Sequence, residues 1–139
     1  MVNFFKKVNW LRLLFGLVIA FAVAFILSNL LLHIKGKLFE YLFETGRVEF
    51  TNGDDLQAWV DRFNYSPYWL PIHMINAAIV AAVSTFYLVK KAKGVEFENG
   101  LALGAVNSLL IYQLNPLLSC ICIAVSAYIS YRGKSSREP

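Results

Sequence analysis

The residue types that do most protein chemistry are sparse in this chain and poorly grouped. His33 and His73 are its two histidines, Cys120 and Cys122 its two cysteines. Imidazole nitrogen can ligate a metal or a haem iron, and the two histidines fall near the same end of successive apolar segments, yet two ligands are a weak site and interfacial histidines are the commoner arrangement. The cysteines stand two apart, which on a helix sets them roughly 200° apart; they neither pair with each other nor chelate one metal, and act as small apolar residues. There is no C-x-x-C, no H-E-x-x-H, no glycine-rich phosphate loop and no grouping of Ser, His and acid. Glu40, Glu44, Asp54, Asp55 and Asp61 could supply acid and base, although a solvated charged face explains them as well. The expectation is a protein that is not an enzyme and holds neither metal nor cofactor.

The elements that would position these groups are membrane helices. From Leu13 to Leu32 the chain runs for twenty residues without a charge, and a helix of that length rises about 30 Å, the thickness of a bilayer's hydrocarbon core. A second run extends from Trp69 to Val89 and a third apolar block from Leu101 to Tyr131. Of the 139 residues 58% are hydrophobic and 16% charged, against about 45 to 50% and about 25% in a soluble domain. The first apolar run is longer than a signal-peptide core and no small-x-small cleavage site follows it, so it reads as an uncleaved helix.

Charge sets the topology. Lys6, Lys7 and Arg12 precede the first span with no acid among them, Lys90, Lys91 and Lys93 follow the second, and Arg132, Lys134 and Arg137 end the chain, while the loop between the first two spans carries four bases and six acids. The positive-inside rule then places both termini in the cytoplasm and residues 34–66 outside, in what reads as a bacterial inner membrane. An inside C-terminus requires the third block to pass twice. As one helix its 31 residues would rise about 46 Å, and Asn115-Pro116 in its middle is a turn pair that disfavours helix before the proline. The expected fold is one all-α membrane domain, residues 1–139, of four transmembrane helices at about 11–33, 67–90, 100–113 and 116–131. The last two form a short Asn-Pro hairpin whose middle includes Gln113, and the alternative is three spans with a kinked third. The net charge of +4 sits beside the apolar runs, where it suits anionic lipid rather than nucleic acid.

Small residues recur at helical spacing in each span: Gly16, Ala20, Ala24 and Ser28; Ala77 with Ala81; Gly100, Gly104 and Ser108; Cys122, Ser126 and Ser130. Such stripes let backbones approach where lipid gives no hydrophobic reward, and they predict a tight bundle or a homo-oligomer. Asn29, Asn76 and Asn107 are expected to hydrogen-bond between helices. After Arg12 no Asp, Glu, Lys or Arg lies within a span, which disfavours a proton relay or ion-coupled pump.

The outer loop reads as an amphipathic helix over Ile34–Glu44, lying on the membrane surface and ended by Thr45-Gly46. A second short helix follows, capped by Asn52 or Asp54, with Leu56, Trp59, Val60 and Phe63 on one side. Ser66-Pro67 opens the second span, and Tyr65, Tyr68 and Trp69 form an interfacial belt opposite Trp10. Asp54, Asp55, Trp59 and Asp61 are the candidate partner-binding residues. These features point to a small membrane protein acting by protein–protein interaction, as an accessory or assembly subunit or an immunity or exclusion protein, its partner another membrane protein or a further copy of itself. A holin-like pore former is one alternative. Four spans in a chain of this length also resemble the GtrA-like family in hydropathy, which implies a small carrier of lipid-linked substrates as the other.

Overall fold

A computed structural model describes residues 8–50, 52–91, 95–112 and 115–135. Lys6, Lys7, Lys93, Gln113 and Arg137 lie outside the described residues. The described chain is helical, with no strand: α1 (Trp10–Glu44), α2 (Gly53–Asn64), a 3-10 turn (Pro67–Trp69), α3 (Leu70–Lys91), α4 (Glu96–Leu110) and α5 (Pro116–Ser135).

Local chemistry places most of these ends. Asn9 caps α1, its side chain accepting from Arg12 N–H at 3.1 Å. At the other end the Gly46 N–H donates to the Phe43 carbonyl and the Arg47 N–H to the Leu42 carbonyl, with Gly46 at φ 65°. That paired closure is a Schellman motif, which needs a residue tolerant of the left-handed region. Asn52 Oδ1 takes the Asp55 N–H at 2.8 Å and starts α2, whose first turn carries Asp54 and Asp55 where the helix dipole favours acids. Ser66 and Pro67 open the 3-10 turn as N-cap and first residue. Asn115 Oδ1 accepts from Leu118 N–H at 3.2 Å and starts α5, while α4 has already ended at Leu110, short of the 113 expected for the third span.

The separate surface helix expected over Ile34–Glu44 is absent. It is the last third of α1, which continues unbroken for 35 residues, about 52 Å. The shift from apolar to amphipathic sequence marks a change of surroundings, not a break in the hydrogen-bond ladder. Gly36, the glycine on the way, costs helix stability but does not stop a helix.

Contacts between helices give their directions. Asn9 meets Asn99 and Gly16 faces Leu103, so α1 and α4 run together. Gly16 also faces Leu88 while Lys35 reaches Trp69, so α1 and α3 run opposed. Gly100 abuts Ser130 and Gly104 abuts Ser126, which makes α4 and α5 antiparallel. Thr85 bonds Ser126 and Val89 lies against Gly133, which makes α3 and α5 parallel. The four helices therefore alternate in direction, and Arg12, Lys90 and Arg132 gather at one end, called here the basic end; α2 and the 3-10 turn lie at the other, the cap end. Among the described residues three helices, α1, α3 and α5, are long and apolar enough to cross a membrane. The fourth member of the bundle, α4, has 15 residues, about 22 Å.

Small residues decide how closely the helices approach. Ala77, Ala81, Gly100, Gly104, Ser108, Cys122, Ser126 and Ser130 are buried. A methyl group built on Gly104 would stand 2.9 Å from Ser126 Cβ and 3.2 Å from the Ile123 backbone, and one on Gly100 would overlap the Ser130 hydroxyl. The stripe on α1 divides: Gly16 and Ala20 are buried, Ala24 is half-buried and Ser28 exposed. The upper part of α1 leaves the bundle there.

Candidate functional site

Two features of the cap end combine into a site. The first is an aromatic latch. Phe39 and Phe43 from α1 stack with Phe50, ring centroids 6.4 and 6.2 Å away, and Trp59 of α2 packs against Phe39 at 5.3 Å, Phe50 at 5.9 Å and Phe63 at 4.9 Å. Phe63 passes the contact to Trp69 at 5.4 Å, whose indole N–H donates to the Phe63 carbonyl at 2.8 Å. Lys35 completes the latch, its Nζ lying 4.8 Å from the Trp69 ring centroid and donating to the Asn64 carbonyl at 3.1 Å. Edge and offset ring pairs are worth about 0.5 to 1.5 kcal/mol each beyond burial, and a cation over indole adds to this. None of the residues of α2 is fully buried, so the latch is what fixes this helix.

The second feature is the space left where α1 departs from the bundle: a cleft of about 340 Å³ beneath α2, between α1, α3 and the turn that joins α4 to α5. Its polar lining is Ser28, Lys35, Asn64, His73, Asn76 and Tyr112; apolar side chains, among them Leu31, Val80 and Ile111, make the rest. The arrangement suits an amphipathic ligand with an anionic or hydrogen-bonding head, since one ammonium and several neutral polar groups stand over an apolar floor.

The four candidate docking residues separate into two sets. Asp54, Asp55 and Asp61 are exposed, Asp61 accepting from Gln57 Nε2 at 3.1 Å. Trp59 is half-buried and turned into the latch, so it positions the acids instead of standing beside them. His73 lines the cleft, while His33 is exposed and is not part of the lining. Among the described residues no three His, Cys, Asp or Glu side chains converge as metal ligands would. Cys122 is buried and Cys120 exposed, as their 200° separation requires.

The three amides expected to bond between helices also differ from one another. Asn107 donates to Ser84 Oγ at 3.3 Å, an interhelical bond of the expected kind. Asn29, expected to bond between helices, is exposed and donates to the Phe25 carbonyl of its own helix at 2.8 Å, because the face it occupies has no neighbouring helix. Asn76 lines the cleft. The sequence reading missed Asn99, a fully buried residue whose Oδ1 accepts from the Asn9 N–H at 2.8 Å and whose Nδ2 donates to the Val95 carbonyl at 2.7 Å. It also missed Glu96, which is 3% exposed at the start of α4. Both lie on the face that carries Leu103 and Asn107, so extending the small-residue stripe by one turn toward the N-terminus would have found them. Comparison of the chain with protein-family models, with curated proteins and with solved structures gives no match.

Proposed function

We propose that the protein is a small, non-enzymatic integral membrane protein of a bacterial inner membrane, with both termini cytoplasmic, that acts by binding another membrane protein at its outer cap. The observation that carries this reading is the way α2 is held. Its aromatic side is spent on the latch, and its acids Asp54, Asp55 and Asp61 are exposed. A short helix held firmly with one charged face presented is suited to docking, where preorganisation limits the entropy lost on binding.

The test is a photo-crosslinking residue placed at Gln57, next to these acids on α2, in the parent and in the triple variant D54N/D55N/D61N. The parent is expected to give a discrete crosslinked product in membranes, and the triple variant to lose most of it at unchanged abundance. An undiminished product in the triple variant overturns the acidic docking face. A cytoplasm-dependent reporter fused after Pro139 is expected to be active and one fused near Asn52 silent; a silent C-terminal fusion overturns the orientation.

The cleft favours a second reading, a carrier or receptor for an amphipathic or lipid-linked molecule, with Lys35, His73 and Asn76 meeting its head. Loss of activity in Asn76→Leu at unchanged stability, with D54N/D55N/D61N fully active, selects this reading over the first. The pore-forming alternative draws no comparable support, because Thr85 with Ser126 and Asn107 with Ser84 pair with each other inside the bundle.

A further inference from the structure

At the basic end, α3 and α5 run side by side in the same direction, and the seam between them is open. A hollow of about 390 Å³ is bounded by Phe86, Val89, Lys90, Tyr128, Ile129, Arg132 and Gly133. A second of about 360 Å³ shares Phe86 and Ile129 with it and continues to Ala82 and Val83. From Lys90 to Ala82 the groove follows α3 for eight residues, about 12 Å. Gly133 opens its floor, since a methyl group there would run into Val89.

Charge is confined to one end of this groove. Lys90 and Arg132 stand at the mouth, and the guanidinium of Arg132 is fixed over the Tyr128 ring, 5.8 Å from its centroid, with Nε donating to the Tyr128 hydroxyl at 3.2 Å. Phe86, Tyr87 and Tyr128 are exposed around it, as aromatic residues are at a headgroup boundary. Two cations at the mouth of an apolar channel of this length match a phosphate ester at the head of a hydrocarbon chain, the pattern by which basic pockets between membrane helices hold anionic lipid.

We infer that the groove between α3 and α5 is a binding site for one anionic glycerophospholipid, with its phosphate between Lys90 and Arg132 and an acyl chain along Phe86, Ile129, Val83 and Ala82. This rests on the membrane reading above and is separate from the cap. The lipid would fill the seam between two helices that otherwise meet through small side chains.

The test uses the full-length protein in nanodiscs of equal phosphatidylglycerol and phosphatidylcholine, released into mild detergent, with retained lipid identified by native mass spectrometry. The parent is expected to retain phosphatidylglycerol preferentially, by about fivefold per cation. K90Q/R132Q should bring the two lipids near parity, K90R/R132K should keep the preference, and A82F should lower the total lipid retained without changing its class. R12Q removes a cation at the same end of the bundle but outside the groove and should leave the preference intact. Enrichment that survives in K90Q/R132Q overturns the assignment, as does an equal loss in R12Q, which would mean a diffuse surface potential. A parent in the discs that shows no enrichment overturns the lipid site alone, whereas a parent recovered outside the discs overturns the membrane reading together with it.

Discussion

The two ends of this bundle are built from the same kinds of residue and behave differently. At the basic end, glycine, alanine and serine are buried, backbones nearly touch, and buried polar atoms such as those of Asn99 and Ser130 find partners. At the cap end the α1 stripe continues through Ala24 and Ser28, yet these residues line a cleft, and rings instead of small side chains hold the elements together. A small-residue stripe permits close approach but does not compel it. Helices converge where each small residue faces another helix's small or polar residue, as Gly104 faces Ser126, and they splay where a bulky cap must be seated. The closest helix packing lies toward the basic end, and the aromatic latch and the cleft lie at the cap end.

Overpacking breaks this contrast most severely. Gly100→Leu and Gly104→Leu drive side chains into Ser130, Ser126 and the α5 backbone, and inserted volume of this kind costs about 1 to 3 kcal/mol, sometimes more. Both variants should melt well below the parent in detergent. Ser28→Leu lies on the continuation of a similar stripe but in the open cleft, and should leave the melting temperature close to that of the parent. Equal losses for all three would mean that the cap end is as tightly packed as the basic end.

The latch comes next in size. Trp59→Ala removes three ring contacts, each worth about 0.5 to 1.5 kcal/mol, from a helix with no buried residue of its own. The loss should be local: hydrogen exchange over residues 53–64 should accelerate and a protease site should open there, with the bundle's melting temperature nearly unchanged. Global destabilisation would show that α2 belongs to the same cooperative unit as the bundle.

Legibility in the sequence followed the range of the physics involved. The starts of α2 and α5, the helix stop at Thr45-Gly46 and the hairpin at Asn115-Pro116 are decided within a few residues, and they were readable. So was the alternating direction of the bundle, because the basic clusters that demand it lie beside the apolar runs. The unbroken α1 was not readable, because an amphipathic turn at Ile34 reports a change of solvent and says nothing about continuity. Glu96 and Asn99 fell outside the expected spans, yet they are buried in the bundle. The cleft depends on where α1 leaves the bundle, which no local pattern encodes. Trp59 was expected as a partner-binding residue, but its three aromatic partners come from residues up to twenty positions away and turn it inward.

Two buried amides sharpen the comparison at smaller scale. Asn99→Leu would remove the part-buried bonds from the Asn9 N–H and to the Val95 carbonyl, each worth about 0.5 to 1.5 kcal/mol. Asn107 presents the opposite case. Its Oδ1 is buried with no hydrogen-bond partner among the described residues, and its bond to Ser84 is long at 3.3 Å. The Ser84 hydroxyl also donates to the Val80 carbonyl at 2.7 Å, so it keeps a partner when the amide is lost. Asn107→Leu should therefore hold or raise the melting temperature while Asn99→Leu lowers it. A fall in Asn107→Leu that matches Asn99→Leu would show that the Asn107 carbonyl is satisfied in the membrane, with water the natural partner.

Gly36 gives the smallest effect and the cleanest test of the long helix. It lies in the part of α1 that leaves the bundle, and a methyl group built on it meets nothing within 4 Å. In a helix interior, alanine is more favourable than glycine by about 0.5 to 1 kcal/mol, chiefly because glycine loses more backbone entropy on ordering. Gly36→Ala should slow hydrogen exchange over residues 33–44 by severalfold and leave the bundle's melting temperature unchanged. The exposed Lys37–Glu40 pair, 2.7 Å apart, should give no measurable effect when removed, since surface ion pairs seldom contribute. If Gly36→Ala instead speeds exchange there, the segment is not helical in the protein, and both the continuous α1 and a separate surface helix over Ile34–Glu44 fail with it.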